Sequence, residues 1–384
     1  MDIKQVYELA NLGVSEALGK TDVLKADLSN LVDVGTEIFN NKSLDKFVNA
    51  LVDRIGRVVF VDRVYNSKVP DILMDNWEYG AVRQKIDVEM PEATENETWE
   101  LQDGASYDPN IFHQPKASAK FFNKYKTFEI DISVTDIQAR SAFESPAQLN
   151  GFISMLFTKV QNKLKRLVDT LKLYTIDSAI ASVYHADIGA GNASTTSGVK
   201  AVNLLKLYKD STGKTLTKVQ AMHDTDFLKF ASRKIMAYSD YMTQRSELFN
   251  VGGKDRFTEK NLQHIILLAD FKRSADTYLQ SETFHNEFTK LPEAQVVNYW
   301  QGSGKKYALD DIAKLNVKDA EGNDVTIDCL IGCIFDRYML GVCCQDSHVN
   351  TQYNGKAEFT NYFYKFKAGY FNDLNENMVI FFLA

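Results

Sequence analysis

The spacing of apolar residues predicts one helix that is much longer than the others. No proline follows Pro146 before His185, and apolar side chains recur at helical spacing through this stretch. These positions are Leu149, Ile153, Leu156, Val160, Leu164, Leu167, Leu171 and Tyr174. Ser145 and Pro146 mark the start, because a serine hydroxyl caps a first turn and a proline ring fits it. About forty residues at ~1.5 Å each predict a rod of ~60 Å.

Two segments before this helix alternate apolar and polar residues with the period of a strand. In the first, Ile86, Val88 and Met90 alternate with charged neighbours, and in the second the same pattern runs through residues 128–134. A period of two over this length predicts strands that have one covered face. The region between the two segments is therefore expected to be a long excursion of β-structure.

This excursion separates its charges into two limbs. From Asp87 to Asp103 there are acidic residues and no lysine or arginine, whereas the returning limb carries lysines. The candidate intersubunit contacts are Glu92, Glu95, Glu97, Glu100, Lys116, Lys120 and Lys124. Two interpretations stay open: two solvated faces of an ordinary hairpin, or a loop whose acidic limb meets basic surface on another copy. The length favours the second, because a long loop without its own core is costly unless a partner covers it.

Outside the excursion and the long helix, the apolar pattern is weak in the first forty residues and clear in the second half of the chain. Residues 44–55 carry apolar side chains on one helical face, but the first forty residues are weakly patterned and read as an arm that orders only against neighbours. Residues 216–350 predict an α/β block, including a buried strand over 264–269 followed by a helix. The apolar segment 378–383 at the carboxyl end predicts a strand tied into a sheet.

Composition narrows the class of protein. A net charge of −7 opposes a protein that holds nucleic acid by charge alone, although it permits one that encloses nucleic acid. No apolar run approaches the ~18 residues of a membrane span, and no secretory signal is expected at the start. The few cysteines lie in one neighbourhood and indicate a reducing compartment.

Motifs for catalysis or cofactor binding are not found. The cysteines at 329, 333, 343 and 344, with His348, lack the spacing of a zinc site and sit in apolar strands, so buried packing is the better interpretation. Asp270 follows a buried strand, where an α/β enzyme places an acid, but no partner base or nucleophile is identifiable. We therefore expect no catalytic residue, no metal and no cofactor.

Several segments resemble the major capsid proteins of small podophages of the Picovirinae type. The resemblance is carried by Phe47–Gly56, by His264–Asp270, by Phe335–Met339 and by the closing Asn361–Tyr364. It covers nearly the whole chain. It implies the α+β fold that tailed-phage major capsid proteins share with encapsulins and the floor of herpesvirus shells. The implied divisions are an N-terminal arm (1–62), an extended β-loop (63–130), a peripheral domain (131–219) with its spine helix (145–185), an axial α/β domain (220–350) and a return to the peripheral domain (351–384).

The resemblance also implies a function and partners. It implies a head protein that assembles as pentamers and hexamers into an icosahedral or prolate shell around double-stranded DNA, with portal and scaffolding proteins as partners and the virion as its location. It implies no sequence-specific binding of the DNA and no membrane. Two alternatives stay open: an encapsulin-like compartment with a cargo enzyme, and a soluble α/β enzyme with its site near Asp270.

Overall fold

A computed structural model of the 384-residue chain describes most of it. The described residues are 3–20, 24–25, 29–41, 46–51, 70–72, 83–88, 103–106, 110, 117–142, 144–189, 196–282, 294–301, 309–319 and 321–384.

The N-terminal stretch forms helices that pack on the chain's own core. Helix α1 spans Ile3–Leu18, α2 spans Leu31–Asn40, and a third helix, α3, includes residues 46–51. Val14 and Ile38 are fully buried. The expectation that the first forty residues order only against neighbours was wrong for the described part, because these apolar faces find cover within the same molecule.

The predicted strands before the long helix are confirmed, but on the first of them the apolar face is open rather than covered, since Ile86 is 66% exposed. Strand β1 (Arg83–Val88) pairs antiparallel with β2 (Ala117–Phe122), and this pair is called the ribbon below. Strand β3 (Tyr125–Thr135) instead joins a three-stranded antiparallel sheet with β10 (Leu340–Asn354) and β11 (Phe359–Asn372), in the order β10-β11-β3.

The long helix is confirmed and is slightly longer than predicted. After the short helix α4 (Asp136–Ala142), α5 spans 43 residues, Pro146–Ile188, or ~65 Å. The hydroxyl of Ser145 accepts a hydrogen bond from the backbone N–H of Gln148, as the cap predicted.

One predicted core position of α5 lies at the surface. The ring of Tyr174 is more than one-third exposed, whereas Ile176 and Ile180 are fully buried. Tyr174 lies at the same helical angle as Leu156, which is 1% exposed, so the difference comes from their surroundings: the ring of Tyr174 lies against the Lys126 ammonium, with Nζ 3.9 Å from the ring centroid.

A five-stranded sheet forms the centre of the α/β block. Its strands are β4 Ala201–Asn203, β5 Gln263–Leu268, β6 Gln295–Val297, β9 Leu330–Asp336 and β12 Met378–Phe382, in the order β4-β12-β9-β5-β6. The outer strands β4 and β6 pair parallel to β12 and β5, while β9 is antiparallel to both of its neighbours. The predicted apolar strand at the carboxyl end is therefore held between two others, as expected.

The remaining elements cover this sheet or connect it to the three-stranded sheet. They are the helices α6 Leu204–Thr212, α7 Lys218–Ala221, α8 Thr225–Tyr241, α9 Ala269–Glu282 and α10 Leu309–Ile312, the short 3-10 helix Lys260–Leu262, and the two-stranded pair β7 Leu315–Lys318 and β8 Asp324–Ile327. Helix α5 contacts strands of both larger sheets, so it joins the two halves of the molecule.

Candidate functional site

The inner face of the ribbon carries a pair of lysines. Lys85 on β1 lies directly opposite Lys120 on β2. Like charges at directly opposed positions destabilise a strand pair. Asp373 removes this repulsion, since its Oδ2 accepts a hydrogen bond from Lys85 Nζ at 2.8 Å and its Oδ1 accepts one from Lys120 Nζ at 2.8 Å. Glu376 accepts a further hydrogen bond from Lys85. These four side chains are called the loop anchor below.

The electrostatics of the loop anchor favour the ionised acid. The side chain of Asp373 is only 2% exposed, whereas that of Lys120 is 42% exposed. Burial opposes ionisation of Asp373, but the hydrogen bonds from Lys120 and Lys85 outweigh it and hold its pKa below the ordinary value. The anchor therefore contributes stability above the ordinary pKa of an aspartate and loses it as the pH falls through the lowered value.

The turn that carries Asp373 and Glu376 is fixed by a buried polar network. Asn377 donates a hydrogen bond from Nδ2 to Thr258 Oγ1 at 3.3 Å, and Thr258 donates to Asp336 Oδ2 at 2.8 Å. Asn377 and Thr258 are fully buried. Buried groups satisfied in this way make a rigid support, so the ribbon is held against a fixed part of the molecule.

An aromatic contact adds to the loop anchor, and the opposite face of the ribbon is apolar and open. Phe122 packs on Phe371 with ring centroids 5.2 Å apart. On the other face, Ile86 is 66% exposed and Phe121 is 61% exposed. The ribbon thus has one face bound to its own chain and one face available to another surface.

Helix α5 carries a basic stretch from Lys159 to Arg166, with Asp169 as the next acidic residue along the helix. Lys159, Lys163, Lys165 and Arg166 have no ion-pair partner within the described residues. Six residues after Arg166, the buried Lys172 forms an ion pair of 3.3 Å with Asp71. Since Asp71 belongs to the start of the predicted extended loop, α5 contacts that loop at its base.

Two of the predicted intersubunit contact residues, Lys120 and Lys124, lie in the described part of the chain. Lys120 is half-exposed and binds Asp373 of its own chain. Lys124 is exposed in the turn between β2 and β3, where its carbonyl accepts a hydrogen bond from the Tyr370 N–H at 3.1 Å. The other predicted contacts, Glu92, Glu95, Glu97, Glu100 and Lys116, lie outside the described residues.

Sequence reasoning missed the acidic half of the loop anchor. Lys85 and Asp373 are 288 positions apart. Neither the alternation of β1 nor the charge separation of the excursion points to residue 373, because the anchor is made by the fold rather than by any local pattern. The alternation of β1 even pointed away from the anchor, because it predicted Ile86 on the covered face, whereas the structure leaves Ile86 66% exposed and binds Lys85.

The residues weighed above as metal-binding or catalytic candidates are buried in the core or lie in regular secondary structure. Cys329, Cys333 and Cys343 are buried free thiols, and burial raises the pKa of Cys329 to about 12. Asp270 lies in the first turn of α9. Among the described residues, no cluster of His, Cys, Asp or Glu has the arrangement of a metal site. None of the helices in the described ranges is both long and apolar enough to span a membrane.

The architecture is the tailed-phage major capsid fold, a mixed α+β arrangement built on a long helix. The capsid structure of Staphylococcus phage Andhra aligns with a TM-score of 0.50 at 7% identity, covering 84% of this chain and 87% of that chain. Cyanophage P-SCSP1u gives a TM-score of 0.46 at 12% identity over 82% and 87% of the two chains. Bacteriophage PhiM1 gives 0.41 at 9% identity over 84% and 88%.

The family follows from the sequence. The model of the family described as Phi29-like phage major capsid protein matches residues 11–382. The chain belongs to this family: it is a major capsid protein that forms phage heads, a structural protein of the virion and not an enzyme. No curated protein matches the chain significantly. The family assignment confirms the predicted resemblance and fold, and it decides against the soluble enzyme.

Proposed function

We propose that the chain assembles as pentamers and hexamers into an icosahedral or prolate head around double-stranded DNA, with portal and scaffolding proteins as partners. The capsid family supports the assembly of copies into shells. A closed shell needs repeated contacts between unlike surfaces whose rotation closes. The net charge of −7 fits a wall that encloses DNA without gripping it.

The same proposal divides the chain by role. Residues 1–62 serve as the N-terminal arm, 63–130 as the extended loop, 131–219 as the peripheral domain, 220–350 as the axial domain and 351–384 as the return. The pairing of β3 with β11 supports a link between the peripheral and return parts. Strand β10 runs from 340 to 354 and so crosses the proposed boundary at 350.

The contact that carries assembly joins the extended loop of one copy to helix α5 of the next. The observation that supports it is the basic stretch of α5, four cations without an ion-pair partner in the described part of the chain. The acidic limb between Asp87 and Asp103 offers the complementary charge. Each exposed pair contributes only ~0–1 kcal/mol, but a shell repeats the contact many times, and weak contacts allow errors to anneal.

Reversing the acidic limb tests this contact. The variant Glu92→Lys, Glu95→Lys, Glu97→Lys, Glu100→Lys is expected to fold but to fail in forming closed heads, because like charges then meet at every contact. Electron microscopy of particles from infected or co-expressing cells measures the outcome. Circular dichroism and thermal unfolding of the unassembled chain check that the fold survives.

A compensating variant makes the test specific. Adding Lys159→Glu, Lys163→Glu and Arg166→Glu to the reversed chain restores opposite charges across the contact, so closed heads are expected to return, while the helix changes alone block them. Normal heads from the loop-reversed variant would reject the contact. So would a doubly reversed chain that stays folded and never closes.

A further inference from the structure

A groove of about 620 Å³ runs along helix α5. One wall is α5 from Asn162 to Asp177, and the other wall is formed by Tyr299, Trp300 and Val317. The groove is thus bounded by the long helix, the segment after β6 and strand β7. Aromatic side chains line it near Asp177.

Asp177 is a buried acid whose charge has no counterpart. It is 4% exposed, and its Oδ1 is sealed from solvent without a hydrogen-bond partner among the described residues. Burial raises its pKa well above the ordinary value. Lys172, on another side of the same helix, is equally buried but binds Asp71. An unpaired buried carboxyl is costly to keep unless a ligand satisfies it in another state of the molecule.

We propose that this groove binds a primary alkylammonium group on the Asp177 carboxylate. Because Oδ1 of Asp177 is sealed from solvent, only the other carboxylate oxygen can accept a hydrogen bond from a ligand in the groove. A single acceptor suits a compact ammonium better than a guanidinium, which binds a carboxylate through two parallel hydrogen bonds. Tyr299 lines the same groove with aromatic surface, which attracts a cation and packs an alkyl stem, whereas the ring of Tyr174 already lies against Lys126 Nζ at 3.9 Å.

The other charges near the groove do not fill this role, since even Lys126, whose Nζ lies 3.9 Å from the centroid of the Tyr174 ring, forms no ion pair with Asp177 among the described residues. Lys165 and Arg166 lie on α5 at ~17–18 Å from Asp177 along the helix axis, and Asp169 lies at ~12 Å. Beneath the groove, burial raises the pKa of Cys333 so that it stays a neutral thiol. The residues of β7 and of the segment 299–301 that line the groove bear no cation. The ammonium therefore comes from outside the described groove: a lysine side chain of a second copy, or a free amine such as a diamine.

Binding is tested on the unassembled chain with n-butylammonium, using the fluorescence of Trp300 in a Trp77→Phe, Trp99→Phe background. We expect saturable binding that strengthens as the pH rises through the raised pKa of Asp177, because the proton and the ammonium compete for one carboxylate. Asp177→Asn is expected to weaken binding at least tenfold and to remove its pH dependence. Asp169→Asn is the matched control and should stay within twofold, and n-butanol, which has no charge, should not bind.

The source of the ammonium is read from lysine acetylation followed by mass spectrometry. A lysine that reacts in the unassembled chain, is protected in wild-type heads and reacts again in Asp177→Asn heads identifies a second copy as the source. Saturable n-butylammonium binding without such a lysine identifies a free amine. Both outcomes support the proposal.

Two outcomes overturn it. One is the absence of both n-butylammonium binding and any lysine whose protection depends on Asp177. The other is a lysine that is protected from acetylation in the unassembled wild-type chain but reacts in the unassembled Asp177→Asn chain. That result would mean that a lysine of the same chain already occupies the groove. Since Asn keeps the size of Asp and removes only a buried charge, the variant is expected to fold, and its unfolding curve checks this.

Discussion

Some single residues in this chain are constrained by packing that cannot be read from the sequence. A methyl group added at Gly332, in the centre of β9, would lie 2.4 Å from the carbonyl oxygen of Ile266 on the neighbouring strand β5. At Gly151, on the exposed side of α5, the same methyl group would have no neighbour within 4 Å. Both positions are simply glycine in the sequence, and only the packed structure separates them.

These two glycines give a matched pair of variants. Gly332→Ala is expected to destabilise the chain by ~1–3 kcal/mol or more, because backbone atoms of β5 must move. Gly151→Ala should stabilise it by ~0.5–1 kcal/mol, since alanine favours a helix interior. Urea unfolding of the unassembled chain measures both. Equal effects at the two positions would contradict the packing described for β9.

Among the helices and strands, some could be predicted from local sequence patterns and others could not. The helix from Pro146 and the strand from Met378 were predicted because apolar spacing and a cap are local signals. The helical character of the first sixty residues was predicted, but the cover of α1 and α2 by their own chain was not, because the residues that cover them are distant in sequence. The loop anchor was missed for the same reason, since Asp373 meets Lys85 only after the sheets have formed.

The loop anchor predicts a local loosening of the ribbon. Asp373→Asn leaves Lys85 opposite Lys120 with less negative charge between them, so β1 and β2 should lose amide protection while the five-stranded sheet keeps it. Hydrogen exchange followed by mass spectrometry at neutral pH measures this. The control is Glu129→Gln, which removes an exposed pair with Lys365 at 3.7 Å and should change little.

The pH dependence of the anchor has a defined sign. Because the pKa of Asp373 is lowered in the folded chain, its contribution is present at neutral pH and disappears as the pH falls below the ordinary aspartate pKa. Wild type and Asp373→Asn should therefore differ in stability at neutral pH and converge in acid. A stability difference between wild type and Asp373→Asn that grows in acid would contradict the proposed role of the loop anchor. Unchanged amide protection of β1 and β2 in the variant would contradict it as well.

In the molecule as a whole, one long helix contacts both larger sheets, and the ribbon is held by one face on the turn that carries Asp373. The other face of the ribbon is apolar and exposed, and the basic stretch of α5 has no ion-pair partner in the described part of the chain. Such surfaces are expected where copies meet, and the chain belongs to a family whose members do meet in shells. Assembly is therefore expected to depend on the extended loop of each copy being covered by another copy.

A cryo-electron microscopy reconstruction of the assembled head tests this claim most directly. We expect residues 89–116 of each subunit to lie across a neighbour, with the acidic limb beside the neighbour's Lys159, Lys163 and Arg166. Density that instead places this loop on its own subunit, with the basic stretch of α5 facing solvent or nucleic acid, would contradict it.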